Sequence, residues 1–165
     1  MQRDVKPRDG MFGSNRFWVA ATVGFVGFLG AFTNAVAQDQ GDDELVILDR
    51  QLIMQQLDKD AKAIGKILAG IQSPDELRDR AESLAKGARE ARDAFEISVP
   101  GGSAKPEIWT NWNDFSARMD RFVEKSAEMA KAAEAGNIAV INEMVVEAMP
   151  CKQCHDHYRA KKNDS

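Results

Sequence analysis

Apolar residues recur every three or four positions in four separate stretches of this chain and nowhere alternate with period two, so its core is predicted to form from packed helices without a sheet. In the first stretch, after a polar lead-in from Gln38 to Asp43, Leu45, Leu48 and Leu52 share a face. Met54, Leu57, Ala61, Ile64 and Leu68 extend that face, and Gly70 closes it. The second stretch opens on Ser73-Pro74-Asp75-Glu76, an N-cap, a first-turn proline and a capping-box acid, and its stripe runs Leu77, Ala81, Leu84, Ala88, Ala91, Phe95. Ser98 to Pro106 has the density of Gly, Pro and Ser expected of a loop. A third stripe follows at Ile108, Trp112, Phe115, Met119, Phe122, Met129 and Ala133, ended by Ala135-Gly136-Asn137. The fourth, Ile138, Ile141, Val145, Ala148, leads into Pro150, which is expected to bend or interrupt the last helix. Two short connections and one longer one predict an all-α fold, an antiparallel up-down-up-down four-helix bundle.

The amino-terminal segment is of a different kind. Five of the eight Phe and one of the three Trp lie within the first 37 residues. Residues 17–32 form an uncharged run of sixteen residues, preceded by Arg3, Lys6, Arg8 and Arg16 and followed by Ala35-Val36-Ala37. A basic region, a short apolar stretch and an Ala-x-Ala site predict a secretory signal peptide over 1–37, cleaved after Ala37. The run is shorter than the roughly 20 residues a membrane-spanning helix needs, so no stable membrane anchor is expected after cleavage. No Arg-Arg pair precedes the run, which favours export of the unfolded chain. The domain 38–165 then keeps 128 of the 165 residues. Residues 1–37 carry four basic and two acidic side chains, so their loss takes the net charge from −4 to −6. An acidic domain of this kind is not a nucleic-acid binder by charge.

Both cysteines of the chain fall in Cys151-Lys152-Gln153-Cys154-His155, and Cys-x-x-Cys-His is the attachment sequence of c-type haem. On a helix, residues three and four apart lie on one face. Two thiols can therefore form thioether bonds to the two vinyl groups of one porphyrin while His155 turns its imidazole to the iron. Three other chemistries use similar residues. A disulfide across so tight a loop would constrain little chain. A thioredoxin-like redox pair usually accompanies a strand-helix unit, which this sequence lacks. A zinc site would draw on His157, two residues beyond His155 and off the shared face. Haem c is the expected cofactor, one per chain, attached through Cys151 and Cys154 with His155 as proximal ligand. Export agrees with this, because haem is joined to such proteins outside the cytoplasm.

The chain resembles the class II c-type cytochromes, the cytochrome c prime family, over nearly all of residues 38–165. The resemblance rests on Cys151-Lys-Gln-Cys-His155-Asp-His-Tyr158-Arg159, on Arg50-Gln-Leu-Ile-Met54 and on Ile108-Trp109-Thr-Asn-Trp112-Asn-Asp-Phe115. It implies a four-helix bundle with haem near the carboxyl terminus. It also implies that the position four after the first-helix arginine faces the distal side of the iron. Low-spin members carry a ligating Met there and high-spin members a non-ligating residue, often Leu. This chain has Met54, so the resemblance points to His155/Met54 axial ligation, with Arg50 near a haem propionate and Arg159 flanking the proximal histidine. Taken alone, Met54 is less secure, since Met119, Met129, Met144 and Met149 are equally good core fillers. Tyr158 and Trp112 read as haem-packing or core aromatics.

With both axial positions filled, the iron changes oxidation state without gaining or losing a ligand. The function expected is therefore that of a periplasmic electron carrier serving redox partner proteins, not an enzyme with a substrate of its own. The alternative is binding or scavenging of nitric oxide or carbon monoxide at a five-coordinate iron. Homodimers through the first two helices are a further implication of the resemblance.

Overall fold

The computed structural model describes the backbone of residues 34–161 and the side chains of 40–161. The expected signal segment, 1–37, lies outside the described residues up to position 33, and residues 34–37 already belong to the first helix. Among the described residues no helix is long and apolar enough to cross a membrane. The described residues form six α-helices: α1 (Asn34–Leu68), α2 (Leu77–Ala94), α3 (Glu107–Thr110), α4 (Trp112–Glu134), α5 (Ile138–Ala148) and α6 (Cys151–Tyr158). Gln38 to Asp43, read from sequence as a polar lead-in, is helical and continuous with α1.

Cross-helix contacts fix the topology. Arg50 of α1 reaches Val99, Leu57 lies against Gly87, and Asp60 meets Ser83 and Arg80, so position numbers fall on α2 as they rise on α1. Arg92 pairs with Asp120 at 3.0 Å, and Arg121 approaches Glu147 at 3.8 Å, which turns α4 against α2 and α5 against α4 in the same way. The result is the up-down-up-down bundle, with α5 and α6 together forming its fourth arm. Ser73 caps a single 3-10 turn, Pro74–Glu76, that feeds α2, while Asn111 interrupts the third stripe so that α3 and α4 are separate helices. Among the described residues the only bridges are Gly101 with Ala104 and Ala104 with Arg159, too isolated to make a sheet.

The second stripe is buried throughout, and Ile108, Phe115, Met119, Met129 and Ala133 of the third and Ile141 and Ala148 of the fourth join it in one core. The first stripe needs correcting. Leu45, Leu48 and Leu52 are 63%, 49% and 54% exposed, whereas the buried face of α1 is built from Arg50, Leu57, Asp60, Ile64 and Ile67. The stripe is therefore split: Leu57 and Ile64 are buried as expected, Met54, Ala61 and Leu68 are half-buried, and Leu45, Leu48 and Leu52 face solvent. Inside the bundle, the carboxylate of Asp60 accepts hydrogen bonds from Ser83 Oγ at 2.6 Å, Gln56 Nε2 at 3.0 Å and Arg80 Nη1 at 3.3 Å. These bonds replace the water it loses, so a fully buried charge is tolerated between α1 and α2.

The long connection between α2 and α3 touches α1 on one side and the end of α6 on the other. At Gly102, where φ is +61°, an added Cβ would sit 2.7 Å from Gln51 Nε2 and 3.2 Å from Ile47 Cγ2, so this turn closes on α1 only with glycine. Three residues later, the amide of Lys105 donates to the carbonyl of Tyr158 at 3.1 Å, and the amide of Ala160 donates to Ser103 at 2.9 Å.

Candidate cofactor site

Pro150 ends the α5 ladder as the sequence suggests: α5 stops at Ala148, Met149 and Pro150 leave helical geometry, and α6 restarts at Cys151. The new helix puts Cys151, Cys154 and His155 on one turn. Cys151 is exposed, Cys154 is half-buried against the core, and His155 is half-buried. Both cysteines are free. Burial is the main force on each thiol and pushes it up from its ordinary value, Asp58 adding to this at Cys151. Such thiols stay protonated at neutral pH. Among the described residues no group of three or more Cys, His, Asp or Glu is placed to hold a metal ion. Burial lowers the His155 imidazole, the positive charge of Arg159 lowers it further, and Asp156 and Asp58 act in the opposite sense. The balance favours the neutral ring, whose free nitrogen lone pair is what an iron ligand must offer.

On α1, the exposed Asp58, four residues beyond Met54, acts through its charge on both Cys151 and His155. Met54 is half-buried against the core. Met119 and Met129 are committed to the interior, while Met144 and Met149 are half-buried on the α5 side. Among the methionines of the described residues, Met54 is the one that α1 carries.

Arg50, one turn before Met54, is only 3% exposed. Its Nη2 donates to the carbonyl of Val99 at 2.5 Å, and its guanidinium lies 5.1 Å from the Phe95 ring centroid and 5.2 Å from that of Trp109. Trp109 is itself held by Nε1 donating to the carbonyl of Phe95 at 3.1 Å. Burial pulls the guanidinium below its ordinary pKa, and its Nη1 is buried without a hydrogen-bond partner. A buried cationic donor left without an acceptor is costly, and an anion at Nη1 removes the cost. A haem propionate is such an anion. The residues present therefore fit the cofactor: a two-cysteine tether and a neutral imidazole on α6, a thioether on α1, and an unsatisfied guanidinium one turn away. Arg159, by contrast, is exposed and acts on His155 only through its charge and through its backbone amide, which donates to the His155 carbonyl at 3.1 Å.

One participant was not visible in the sequence. Tyr158, read there as a packing aromatic, is buried with its ring edge-to-face on Phe115 at 5.1 Å. Its hydroxyl also donates to Asp114 Oδ2 at 2.5 Å. The Arg118 guanidinium holds the same carboxylate at 2.7 and 3.2 Å, and together these bonds keep Asp114 below the usual carboxylate range. Trp112 meets the cluster through Phe115 at 5.8 Å.

The family pattern described as Cytochrome C' matches residues 46–159, which runs from the first buried turns of α1 to the end of α6. A cytochrome c' of Alcaligenes xylosoxydans xylosoxydans is 34% identical over 70 residues, covering 42% of this chain and 55% of that protein. One from Rhodospirillum rubrum is 26% identical over 140 residues, covering 82% of this chain and 95% of that protein. Among solved structures, the nitric oxide complex of a variant cytochrome c prime from Alcaligenes xylosoxidans superposes with a TM-score of 0.67 at 24% identity, covering 73% of this chain and 97% of that one. Cytochrome c prime from Shewanella frigidimarina gives 0.64 at 24%, covering 72% and 97%.

Proposed function

Because this chain belongs to the cytochrome c' family, we propose that it binds one haem c through Cys151 and Cys154 and serves as a periplasmic electron carrier with His155 and Met54 as axial ligands. When bound, haem supplies a one-electron iron couple. The chain's own residues determine how that couple is used. Cys151 and Cys154 fix the group to α6 so that it is not lost to solvent. His155, kept neutral by burial and Arg159, donates from the proximal side. Met54 offers a soft thioether that favours the reduced metal and closes the distal side to small molecules. Arg50 holds a propionate through Nη1. The observation that supports the carrier reading is a half-buried Met54 on α1, four residues before the Asp58 whose charge acts on His155.

A second reading has a specific observation in its favour: nitric oxide complexes are among the similar cytochrome c prime structures from Alcaligenes xylosoxidans. Under that reading Met54 packs without ligating and the iron is five-coordinate. Absorption spectra of the reduced holoprotein with and without carbon monoxide decide between them. The carrier reading expects a low-spin spectrum and little or slow carbon monoxide binding, with fast binding in Met54→Leu. A high-spin wild type that binds carbon monoxide as readily as the variant establishes the second reading instead.

A further inference from the structure

α6 is short, eight residues, and is cut from α5 at Met149 and Pro150, so the long arm of the bundle does not dictate its rotation. Two backbone pairings to the α2–α3 connection, at Tyr158 and Ala160, hold its carboxyl-terminal end in place. Lys105 Nζ also reaches the carbonyl of His157, at 3.3 Å. The shortest side-chain tether comes from Tyr158. Tyr158 lies four residues after Cys154 and three after His155, and its hydroxyl grips Asp114 in the first turn of α4 at 2.5 Å. An O–H···O⁻ bond of this length is charge-assisted and strongly directional. Asp114 is itself fixed, since Arg118 one turn along α4 holds both of its oxygens. The ring of Tyr158 is closed in by Phe115, so the hydroxyl has a single direction open to it.

We infer that Tyr158, Asp114 and Arg118 form a positioning assembly that sets the rotation of α6 and, through it, the orientation of the His155 imidazole plane toward the bound haem. This rests on His155 being the proximal ligand, as proposed above. None of the three touches the reacting atoms, so they are positioning residues. Their role differs from plain anchoring. An anchor changes how much denaturant the fold withstands, whereas an orienting group also changes the electronic asymmetry that the imidazole plane imposes on the iron.

The test uses the ferric holoprotein. Proton NMR of the haem methyl groups, whose order and spread follow the orientation of the axial imidazole, is measured on wild type, Tyr158→Phe, Asp114→Asn and Asp114→Ala. Tyr158→Phe keeps the ring on Phe115 and removes only the hydroxyl, and it is expected to reorder the methyl resonances and shift the reduction potential. Asp114→Asn keeps an acceptor oxygen but loses the charge that shortens the bond and holds Arg118, and it is expected to fall between wild type and Tyr158→Phe. Asp114→Ala is expected to match Tyr158→Phe, and the double variant to add nothing to either. Unchanged methyl resonances in Tyr158→Phe, with only a lowered melting temperature, overturn the inference and leave a structural anchor. If Tyr158→Phe fails to retain haem, Asp114→Ala, in which Tyr158 is intact, gives the same reading. Failure of the ligand assignment shows separately, as an axial-ligand spectrum that survives His155→Ala.

Discussion

Replacing Arg50 with Met tests whether the buried guanidinium meets an anion in the loaded protein, and the alternatives differ in the size and sign of the effect. Arg50 makes one hydrogen bond, Nη2 to Val99, worth about 1 kcal/mol. Its two ring contacts, at 5.1 and 5.2 Å to Phe95 and Trp109, add roughly 1 kcal/mol together. If a propionate accepts from Nη1, a charge-assisted bond of about 2 kcal/mol is lost as well. A methionine of similar length returns roughly 1–2 kcal/mol by filling the slot with apolar surface. The net expectation is a holoprotein destabilised by about 2–3 kcal/mol. If Nη1 remains without a partner, removing it also relieves a buried unsatisfied donor worth about 2 kcal/mol, and the balance falls to zero or below. Urea unfolding of the holoprotein, followed by far-ultraviolet circular dichroism and by the haem band, measures the difference. An Arg50→Met holoprotein as stable as wild type, or more stable, refutes the argument that the guanidinium awaits an anion.

Two further outcomes follow from buried groups. Asp60→Ala leaves Ser83, Gln56 and Arg80 without their shared acceptor; because Arg80 is partly exposed and regains water, the expected loss is about 2–3 kcal/mol in urea unfolding, with a smaller loss for Asp60→Asn. The hydroxyl of Tyr158 is pushed up to about 12, by burial first and then by its bond to Asp114. The folded chain therefore holds this proton more tightly than the unfolded chain, whose tyrosine titrates near 10. The stability it contributes is whole below pH 10 and is lost as pH rises toward 12. Tyr158 is the only tyrosine in the chain, so alkaline difference spectra against Tyr158→Phe read the titration directly. A midpoint near 10 contradicts the burial and the hydrogen bond together.

What the sequence revealed follows from the range over which each signal acts. Cys151, Cys154 and His155 lie within one turn of one helix, so their spacing alone brings them together, whatever the rest of the chain does. The stripes of α2 and α4 are equally local, and most of their residues are buried. On α1 periodicity picked out Leu57 and Ile64, which are buried, but it does not say how far along the helix a neighbour covers the stripe. Hydropathy then selected Leu45, Leu48 and Leu52, whereas packing buries Arg50 and Asp60, two charged residues that are tolerated because Val99, Phe95, Trp109, Ser83 and Arg80 receive them. Those partners are 20 to 59 positions away, beyond any local pattern. The bond from Tyr158 to Asp114 spans 44 positions and was hidden for the same reason. Arg50 and Met54 were found only through family resemblance. The structure supplies a physical ground for Arg50 in its unsatisfied nitrogen and leaves Met54 half-buried against the core.

The division of the site between two helices explains how one fold can serve either of the two functions considered. In the proposed site both tethers and the proximal ligand would come from α6 and the sixth ligand from α1, so a change at position 54 would leave the attachment machinery untouched. Met54 is half-buried at the edge of the core, and replacing it with Leu conserves volume, which limits the cost to under about 1.5 kcal/mol from packing alone. Any loss beyond that measures a bond from Met54 to the iron. Comparing the unfolding free energy of Met54→Leu in the ferrous and ferric holoprotein therefore reports ligation independently of gas binding: a thioether that favours reduced iron makes the variant lose more in the ferrous state. Equal losses in both states, each within the packing limit, mean that Met54 fills space and the iron's sixth position is open.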